Sequence, residues 1–187
     1  MTSPPVKVLI SAEQLQARVS ELARELNRDY AEADRLVCIA VLKGSVFFLV
    51  DLVRQLDIEV VIDFFQTSSY GANTAPGEVR IKKDVDVSIR DKHVLLIEDI
   101  VDTGYTLRTI LDLLHFRGAR SVKLCTLLDK SAAREVDVQI DYCGFHIEDQ
   151  FVVGYGLDVG ERYRQLPYVG VYEEGDQQGE SVAEEKS

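Results

Sequence analysis

Two adjacent carboxylates, Glu98 and Asp99, directly follow the apolar run Val94–Ile97. Such a run predicts a buried strand, and open α/β sheets bind ligands at the carboxyl ends of their strands. Paired acids at that position can accept hydrogen bonds from sugar hydroxyls or hold a divalent cation. Taken singly, each acid could instead cap the helix that follows, because carboxylates favour helix N-termini.

A short loop after the acid pair has the composition of a phosphate cradle. It consists of Asp102, Thr103, Gly104, Tyr105 and Thr106 and leads into a predicted helix. The glycine permits close approach of the backbone, while N–H groups and hydroxyls at a helix N-terminus bind phosphate. The loop matches neither a Walker A loop nor the glycine-rich dinucleotide fingerprint. A ribose 5-phosphate would satisfy both the acids and the cradle.

The elements that must position these residues alternate along the chain. A capping box at Ser11 and Gln14 opens the first predicted helix. Further helices are predicted over Ser45–Leu56 and Thr106–Arg117, with a polar loop over Thr67–Glu78. Strands are predicted at Leu36–Leu42, Ile58–Gln66, Val94–Ile97 and Val122–Leu128, with shorter β segments near Gln139–Phe145, Val152–Tyr155 and Val169–Tyr172. This order predicts an α/β fold with a mostly parallel sheet flanked by helices.

Composition narrows the class of protein. The 187 residues suffice for one domain, and a net charge of -11 argues against nonspecific nucleic-acid binding. No apolar stretch approaches the roughly 20 residues that span a bilayer, so we expect no membrane partner. Three widely spaced cysteines favour free thiols in the cytoplasm. Residues 173–187 form an acidic tail whose composition predicts disorder.

The string VLLIEDIVDTGYTL at Val94–Leu107 resembles the diphosphate-ribose signature of the type I phosphoribosyltransferases. That resemblance implies the family's fold over residues 1–172: a mostly parallel central sheet flanked by helices, a small hood subdomain and a mobile lid loop at about residues 67–78. It also implies that phosphoribosyl diphosphate is the substrate. Glu98, Asp99 and the cradle residues 102–106 would bind it.

Four further segments resemble the branch of that family that acts on hypoxanthine and guanine. In the first, Lys43 and Gly44 would offer backbone to the diphosphate beside a cis peptide at Leu42–Lys43. In the second, Ser69 and Tyr70 would belong to the lid. The other two segments begin at Asp129 and at Phe151.

By the same resemblance, these last two segments bind the base and the leaving group. Lys130 would donate to the carbonyl at position 6 of a purine, which selects oxopurines over aminopurines. Phe151 would stack on the base and the Val152 carbonyl would accept from its edge. The diphosphate-side residues would be Arg134 and Arg164. Asp158 would belong to the purine-binding residues and also hold a metal ion on the diphosphate.

The implied reaction transfers a 5-phosphoribosyl group to hypoxanthine or guanine, giving IMP or GMP and diphosphate. By resemblance to the family's proton acceptor, Asp102 is expected to act as the general base. Mg²⁺ is the expected cofactor, held by Glu98, Asp99 and Asp158. Relatives form oligomers, which implies a homodimer or homotetramer.

Three other functions remain open from the sequence. A xanthine-preferring transferase would differ in contacts that run through backbone carbonyls. A pyrimidine transferase is disfavoured by Lys130 together with Phe151, which suit a two-ring oxopurine. A regulator that senses phosphoribosyl diphosphate and binds nucleic acid would need a basic face, which the charge of -11 disfavours.

Overall fold

The computed structural model of the protein describes residues 6–69 and 79–173. Most of the expected lid loop and the tail from residue 174 lie outside these ranges, as does Tyr70. In the described residues no helix is both long enough and apolar enough to cross a membrane.

The described chain contains three α-helices and nine β-strands. The helices are α1 (Ala12–Asp29), α2 (Val46–Val53) and α3 (Tyr105–Phe116). The strands are β1 (Val6–Ile10), β2 (Leu36–Leu42), β3 (Val60–Ser69), β4 (Val79–Lys83), β5 (His93–Val101), β6 (Ser121–Asp129), β7 (Tyr142–His146), β8 (Val152–Val153) and β9 (Val169–Tyr172).

A six-stranded sheet forms the centre of the fold, in the order β4-β3-β2-β5-β6-β7. All neighbours in it are parallel except β4, which pairs antiparallel with β3 at the edge. A smaller sheet, β1-β9-β8, is antiparallel. The predicted mostly parallel α/β fold is confirmed, and the smaller sheet is the candidate for the predicted hood.

The central strands are covered on both faces, as their continuous apolar runs predict. Along β2, Cys38 and Ala40 pack with α1 and α2, whereas Val37, Ile39 and Val41 pack on the face that α3 covers. This alternation follows from the two-residue period of a strand. Burial on both faces explains why Leu36–Leu42 has no polar positions.

The helix α1 begins where the capping box predicts. The Ser11 side chain accepts from the Gln14 N–H, and the Gln14 side chain accepts from the Ser11 N–H. Its buried face consists of Leu15, Val19, Leu22, Ala23 and Leu26.

One expectation about the strands was wrong, and two strands were missed. The loop predicted to begin at Thr67 begins later, because β3 continues to Ser69 by pairing with β4, so that Thr67 lies opposite Ile81. The strands β1 and β4 were not predicted at all. The strand β1 pairs with β9, which is distant in sequence, and β4 pairs with β3 across a long connection. Pairing of this kind leaves no local pattern of residue types in the sequence.

Candidate active site

A cleft of about 590 Å³ lies at the carboxyl ends of β2 and β5. Seven of the predicted site residues line it: Glu98, Asp102, Thr103, Gly104, Thr106, Asp158 and Arg164. A second cleft of about 510 Å³ lies at the amino ends of β5 and β6. Both cationic and acidic side chains line it. The first cleft combines Glu98 with the N-terminus of α3, and ligands of parallel α/β sheets bind at this end. We therefore take it as the candidate active site.

Glu98 and Asp99 lie near the carboxyl end of β5 and are half-buried. Burial, together with the charge of Asp99, raises the pKa of the Glu98 carboxyl well above its usual value. Burial also raises the pKa of Asp99 to about 6, although the Ile100 N–H and the Arg164 guanidinium act in the opposite direction. Among the described residues, Glu98 Oε2 is buried without a hydrogen-bond partner. An acceptor in that state suits a hydroxyl donor or a cation.

The loop from Asp102 to Thr106 turns sharply into α3. Gly104 has a φ of 95° and precedes the first helical residue. A Cβ at this position would lie 2.6 Å from the Val136 carbonyl oxygen, so only glycine fits. The first N–H groups of a helix have no intrahelical acceptor, and those of α3 face the cleft end of the sheet. The loop can therefore cradle an anion.

Two loops from distant parts of the chain meet beside Asp99 of β5. The Leu42–Lys43 peptide is cis, as the resemblance implies. A Cβ on Gly44 would lie 1.5 Å from Asp99 Oδ2, and a Cβ on Gly156 would lie 1.9 Å from the Gly44 carbonyl oxygen. These contacts leave no room for side chains, so the backbone itself forms this wall of the site.

Arg164 is held in the cleft by a ring of acceptors. Its Nη1 donates to the Gly156 carbonyl at 2.7 Å, and its Nη2 lies 2.8 Å from Asp158 Oδ1. Glu161 also contacts it, at 3.3 Å, and pairs with Lys43 Nζ at 3.0 Å. The guanidinium is thus oriented toward the cleft by the turn on which it lies, where it can meet an anionic group.

The predicted base-binding residues lie where β6 ends and β8 begins. Lys130 is 8% exposed, and its Nζ pairs with Asp149 Oδ1 at 3.0 Å. Its backbone N–H donates to the Val101 carbonyl at the end of β5. Phe151 is 55% exposed and packs edge-to-face against Tyr172, while Val152 is buried. A buried ammonium group and an exposed aromatic ring are thus available for a flat polar ligand.

Residues 11–159 match the phosphoribosyl transferase domain family. The chain belongs to that family. It is 48% identical to a hypoxanthine phosphoribosyltransferase of Haemophilus influenzae over 168 residues, which cover 88% of this chain and 94% of the relative.

Solved structures show the same relationship. A crystal structure of a hypoxanthine-guanine phosphoribosyltransferase from Bacillus anthracis has a TM-score of 0.85 and 47% identity, covering 88% of this chain and 97% of that one. The hypoxanthine phosphoribosyltransferase of Trypanosoma cruzi, solved with the product IMP, has a TM-score of 0.87 and 37% identity, covering 93% and 98%. The type I phosphoribosyltransferase fold implied by the sequence is thereby confirmed.

Some predicted residues of this phosphoribosyltransferase lie outside the cleft. Arg134, expected at the diphosphate, lies behind the cradle, where its donors meet Asp129 and the carbonyls of Val101 and Asp102. The Tyr105 hydroxyl points to Glu135 at 3.3 Å. Lys43 contributes backbone beside Asp99, whereas its ammonium group is paired with Glu161. Ser69 belongs to β3.

Sequence reasoning missed two acids of this region. Asp129 is 6% exposed and bonds both Arg134 and His146. It follows an apolar run at the carboxyl end of a strand, which is the same signal that pointed to Glu98. Glu161 pairs with Lys43 and Arg164, and no pattern in the sequence indicates this.

Proposed function

We propose that the protein transfers the 5-phosphoribosyl group of phosphoribosyl diphosphate to a 6-oxopurine, hypoxanthine or guanine. The products would be IMP or GMP and diphosphate. The observation that carries the proposal is the convergence of Glu98, four residues of the 102–106 cradle and Arg164 on one cleft. The relatives' names, and the IMP complex of the Trypanosoma cruzi enzyme, support the choice of base.

In this proposal the ribose 5-phosphate occupies the cradle, and Glu98 and Asp99 accept hydrogen bonds from the ribose hydroxyls. The purine ring nitrogen attacks the anomeric carbon with inversion, and diphosphate departs. Asp102 takes the proton from the other imidazole nitrogen of the purine. The chain contributes mainly orientation and charge placement.

We propose that the diphosphate lies between Arg164 and the backbone of Lys43 and Gly44. Arg164 is already aimed into the cleft by Gly156 and Asp158, so its charge can be shared with the leaving group. Ser69 and Tyr70 are proposed to take part in a lid that excludes water from the cationic transition state. Arg134, whose Nε and Nη2 bond to Asp129 and to the carbonyls of Val101 and Asp102, is assigned to support of the cradle.

We propose that the base lies against Phe151, with Lys130 donating to its 6-oxo group and the Val152 carbonyl accepting from its edge. The Asp149 carboxylate keeps the ammonium of Lys130 in place when the site is empty. The 6-amino group of adenine is a hydrogen-bond donor, and it would face the Lys130 ammonium, which is also a donor. This mismatch is the physical basis for the rejection of adenine.

Magnesium is the proposed cofactor, and the donor set fits it. Mg²⁺ prefers carboxylate oxygens, and the unpartnered Glu98 Oε2 adjoins Asp99. Asp158 would join as Arg164 turns to the diphosphate, because its two oxygens contact Arg164 and the Glu161 N–H. When bound, the ion neutralises charge on the leaving group. Glu98 and Asp99 orient the ribose with or without that contribution.

A homodimer or homotetramer in the cytoplasm is the proposed state. The exposed apolar side chains support association, since Phe116 is 89% exposed and Ile62 is 45% exposed. The three cysteines are free thiols, which is compatible with a reducing compartment. Light scattering of the purified chain measures the assembly.

A diphosphate-release assay with Mg²⁺, phosphoribosyl diphosphate and each base in turn tests the function. We expect release with hypoxanthine and guanine and little with adenine, while xanthine as the best substrate would favour the xanthine-preferring alternative. Lys130→Ala should weaken the use of oxopurines far more than the binding of phosphoribosyl diphosphate. No release with any oxopurine would contradict the proposal.

A further inference from the structure

We propose that Asp129 is a positioning residue for this transfer, acting through Arg134 to fix the backbone that carries Asp102. The inference rests on the proposed function, because Asp102 is its proposed general base. Asp129 lies at the end of β6, beside the end of β5. It does not line the cleft, so its effect must pass through a neighbour.

A buried carboxylate, that of Asp129, anchors the guanidinium of Arg134. Asp129 Oδ1 lies 2.5 Å from Arg134 Nη2, and the two side chains are 8% and 16% exposed. The other oxygen, Oδ2, lies 3.0 Å from His146 Nδ1. A charge-assisted hydrogen bond between buried groups is short and directional. The guanidinium of Arg134 therefore has one strongly preferred orientation.

Arg134 in turn contacts the backbone at the start of the cradle loop. Its Nε donates to the Asp102 carbonyl at 2.9 Å, and Nη2 reaches the Val101 carbonyl at 3.4 Å. Arg134 Cδ would lie 3.1 Å from a Cβ on Gly104, so its stem also packs against the turn. A planar guanidinium can hold a carboxylate on one edge and carbonyls on another, which a lysine ammonium cannot reproduce.

The backbone after Arg134 completes the support. The N–H groups of Glu135 and Val136 both donate to the Thr103 carbonyl at 3.0 Å. The carbonyls of Val101, Asp102 and Thr103 are therefore all hydrogen-bonded from outside the cleft, while Thr103, Gly104 and Thr106 line it. Loss of the Asp129 charge would leave Arg134 with neutral acceptors only and free it to turn toward the diphosphate.

Two other roles for Asp129 are less well supported. Asp129, Cys143 and His146 offer possible metal-ligand atoms within 4.8 Å of one another. However, both Asp129 oxygens already face Arg134 and His146, and burial raises the pKa of the Cys143 thiol to about 11. Action through the adjacent Lys130 would instead alter the choice of base, because that ammonium pairs with Asp149.

The test compares Asp129→Asn, Arg134→Lys and the double variant with the wild type. We expect each single variant to lower kcat/KM for phosphoribosyl diphosphate by about 10- to 100-fold, the cost of a misplaced catalytic group. The double variant should lose little more than either single variant, because the two residues act as one unit. The preference among purine bases should not change.

The matched control is Arg117→Lys. Arg117 forms a two-pronged pair with Asp84, at 2.6 and 2.5 Å, away from the cleft. This substitution disturbs the same kind of ion pair, so it should affect stability and leave kcat/KM within about twofold of the wild type. An equal loss of activity in the control would mean that the effect is general destabilisation, and would overturn the inference.

Amide hydrogen exchange gives a readout that does not depend on turnover. Asp129→Asn and Arg134→Lys should each speed exchange at the amides of Lys130, Glu135 and Val136, which donate to the carbonyls of Val101 and Thr103. The control should not. Unchanged exchange, additive losses in kcat/KM, or a change in base preference like that of Lys130→Ala would each overturn the inference. If the wild type shows no transfer, the proposed function fails, whereas the exchange result still decides whether Asp129 anchors the cradle.

Discussion

At the scale of single residues, the chemistry depends on side chains whose backbone is held in place by hydrogen bonds from residues outside the cleft. Asp102 lines the cleft at an exposed position, and its carbonyl is the acceptor of Arg134. A general base must lie within hydrogen-bond reach of the proton that it takes, so its backbone needs a fixed position. The resemblance to the family's signature pointed to Asp102 in the sequence, whereas nothing there indicated its support by Arg134 and Asp129.

Asp102→Asn should lower kcat by on the order of 100-fold or more, because an amide cannot take the proton from the purine. Binding of phosphoribosyl diphosphate should remain, since the backbone of the cradle is unchanged. Steady-state kinetics together with titration of the ligand measure both effects. Asp112→Asn, on the exposed face of α3, is the control and should leave turnover unchanged. Near-normal turnover of the first variant would remove Asp102 from its role.

Gly156→Ala should disable the cleft although it adds only a methyl group. Gly156 has a φ of 105°, and the added Cβ would lie 1.9 Å from the Gly44 carbonyl oxygen. The loop must move, which would also displace the wall beside Asp99, so we expect about 100-fold lower kcat/KM. Gly160→Ala is the control, since no described atom lies within 4 Å of its Cβ position. Comparable activity of the two variants would show that the close contact has no functional role.

At the scale of elements, Asp63 joins the central sheet to the segment after β4. Its Oδ2 accepts from the N–H groups of Asp86 and Val87 at 2.6 and 3.0 Å, and its Oδ1 accepts from the Phe64 N–H and from Lys83 Nζ. Burial would raise the pKa of this carboxyl, but the backbone donors and Lys83 outweigh it and hold the pKa below its usual value. The ionised form therefore stabilises the edge of the sheet.

The stability that Asp63 contributes should disappear in acid. Because its folded-state pKa is lowered, the contribution is complete above the unfolded pKa of roughly 3.9 and is lost as the pH falls through the folded value. Denaturant unfolding of the wild type at pH 6 and pH 3 should show this loss. Asp63→Asn should be destabilised by about 1–3 kcal/mol at pH 6 and show a smaller difference between the two pH values. Asp112→Asn should behave like the wild type, and an unchanged pH dependence in Asp63→Asn would contradict the assignment.

At the scale of the whole molecule, both sheets share one hydrophobic core. The buried residues Ile10, Val152 and Val169 of the smaller sheet pack in the same cluster as α1, α2 and one face of the central sheet. The other face of the central sheet packs against α3. Continuous burial of this kind couples the elements, so we propose that residues 1–172 form one cooperative domain.

Unfolding of the chain should therefore occur in a single transition. Far-UV circular dichroism and tyrosine fluorescence should give coincident denaturation curves, because no element can leave the core alone. Leu22→Ala, in the buried face of α1, should shift both curves equally and lower the free energy of unfolding by about 2–5 kcal/mol. Two separated transitions would show that the smaller sheet is an independent unit.

The sequence by itself determined the order of the core strands and helices, the position of the acid pair and the glycine of the cradle. Each of these is a local property, set by the period of apolar residues or by the conformation that one short loop requires. The tertiary structure alone decided that Gly44, Asp99 and Gly156 touch, that Arg134 supports the cradle rather than lining the cleft, and that β1 joins the smaller sheet. Those outcomes depend on contacts between residues remote in the chain, whose partners are selected by packing and hydrogen bonding in three dimensions and leave no periodic trace.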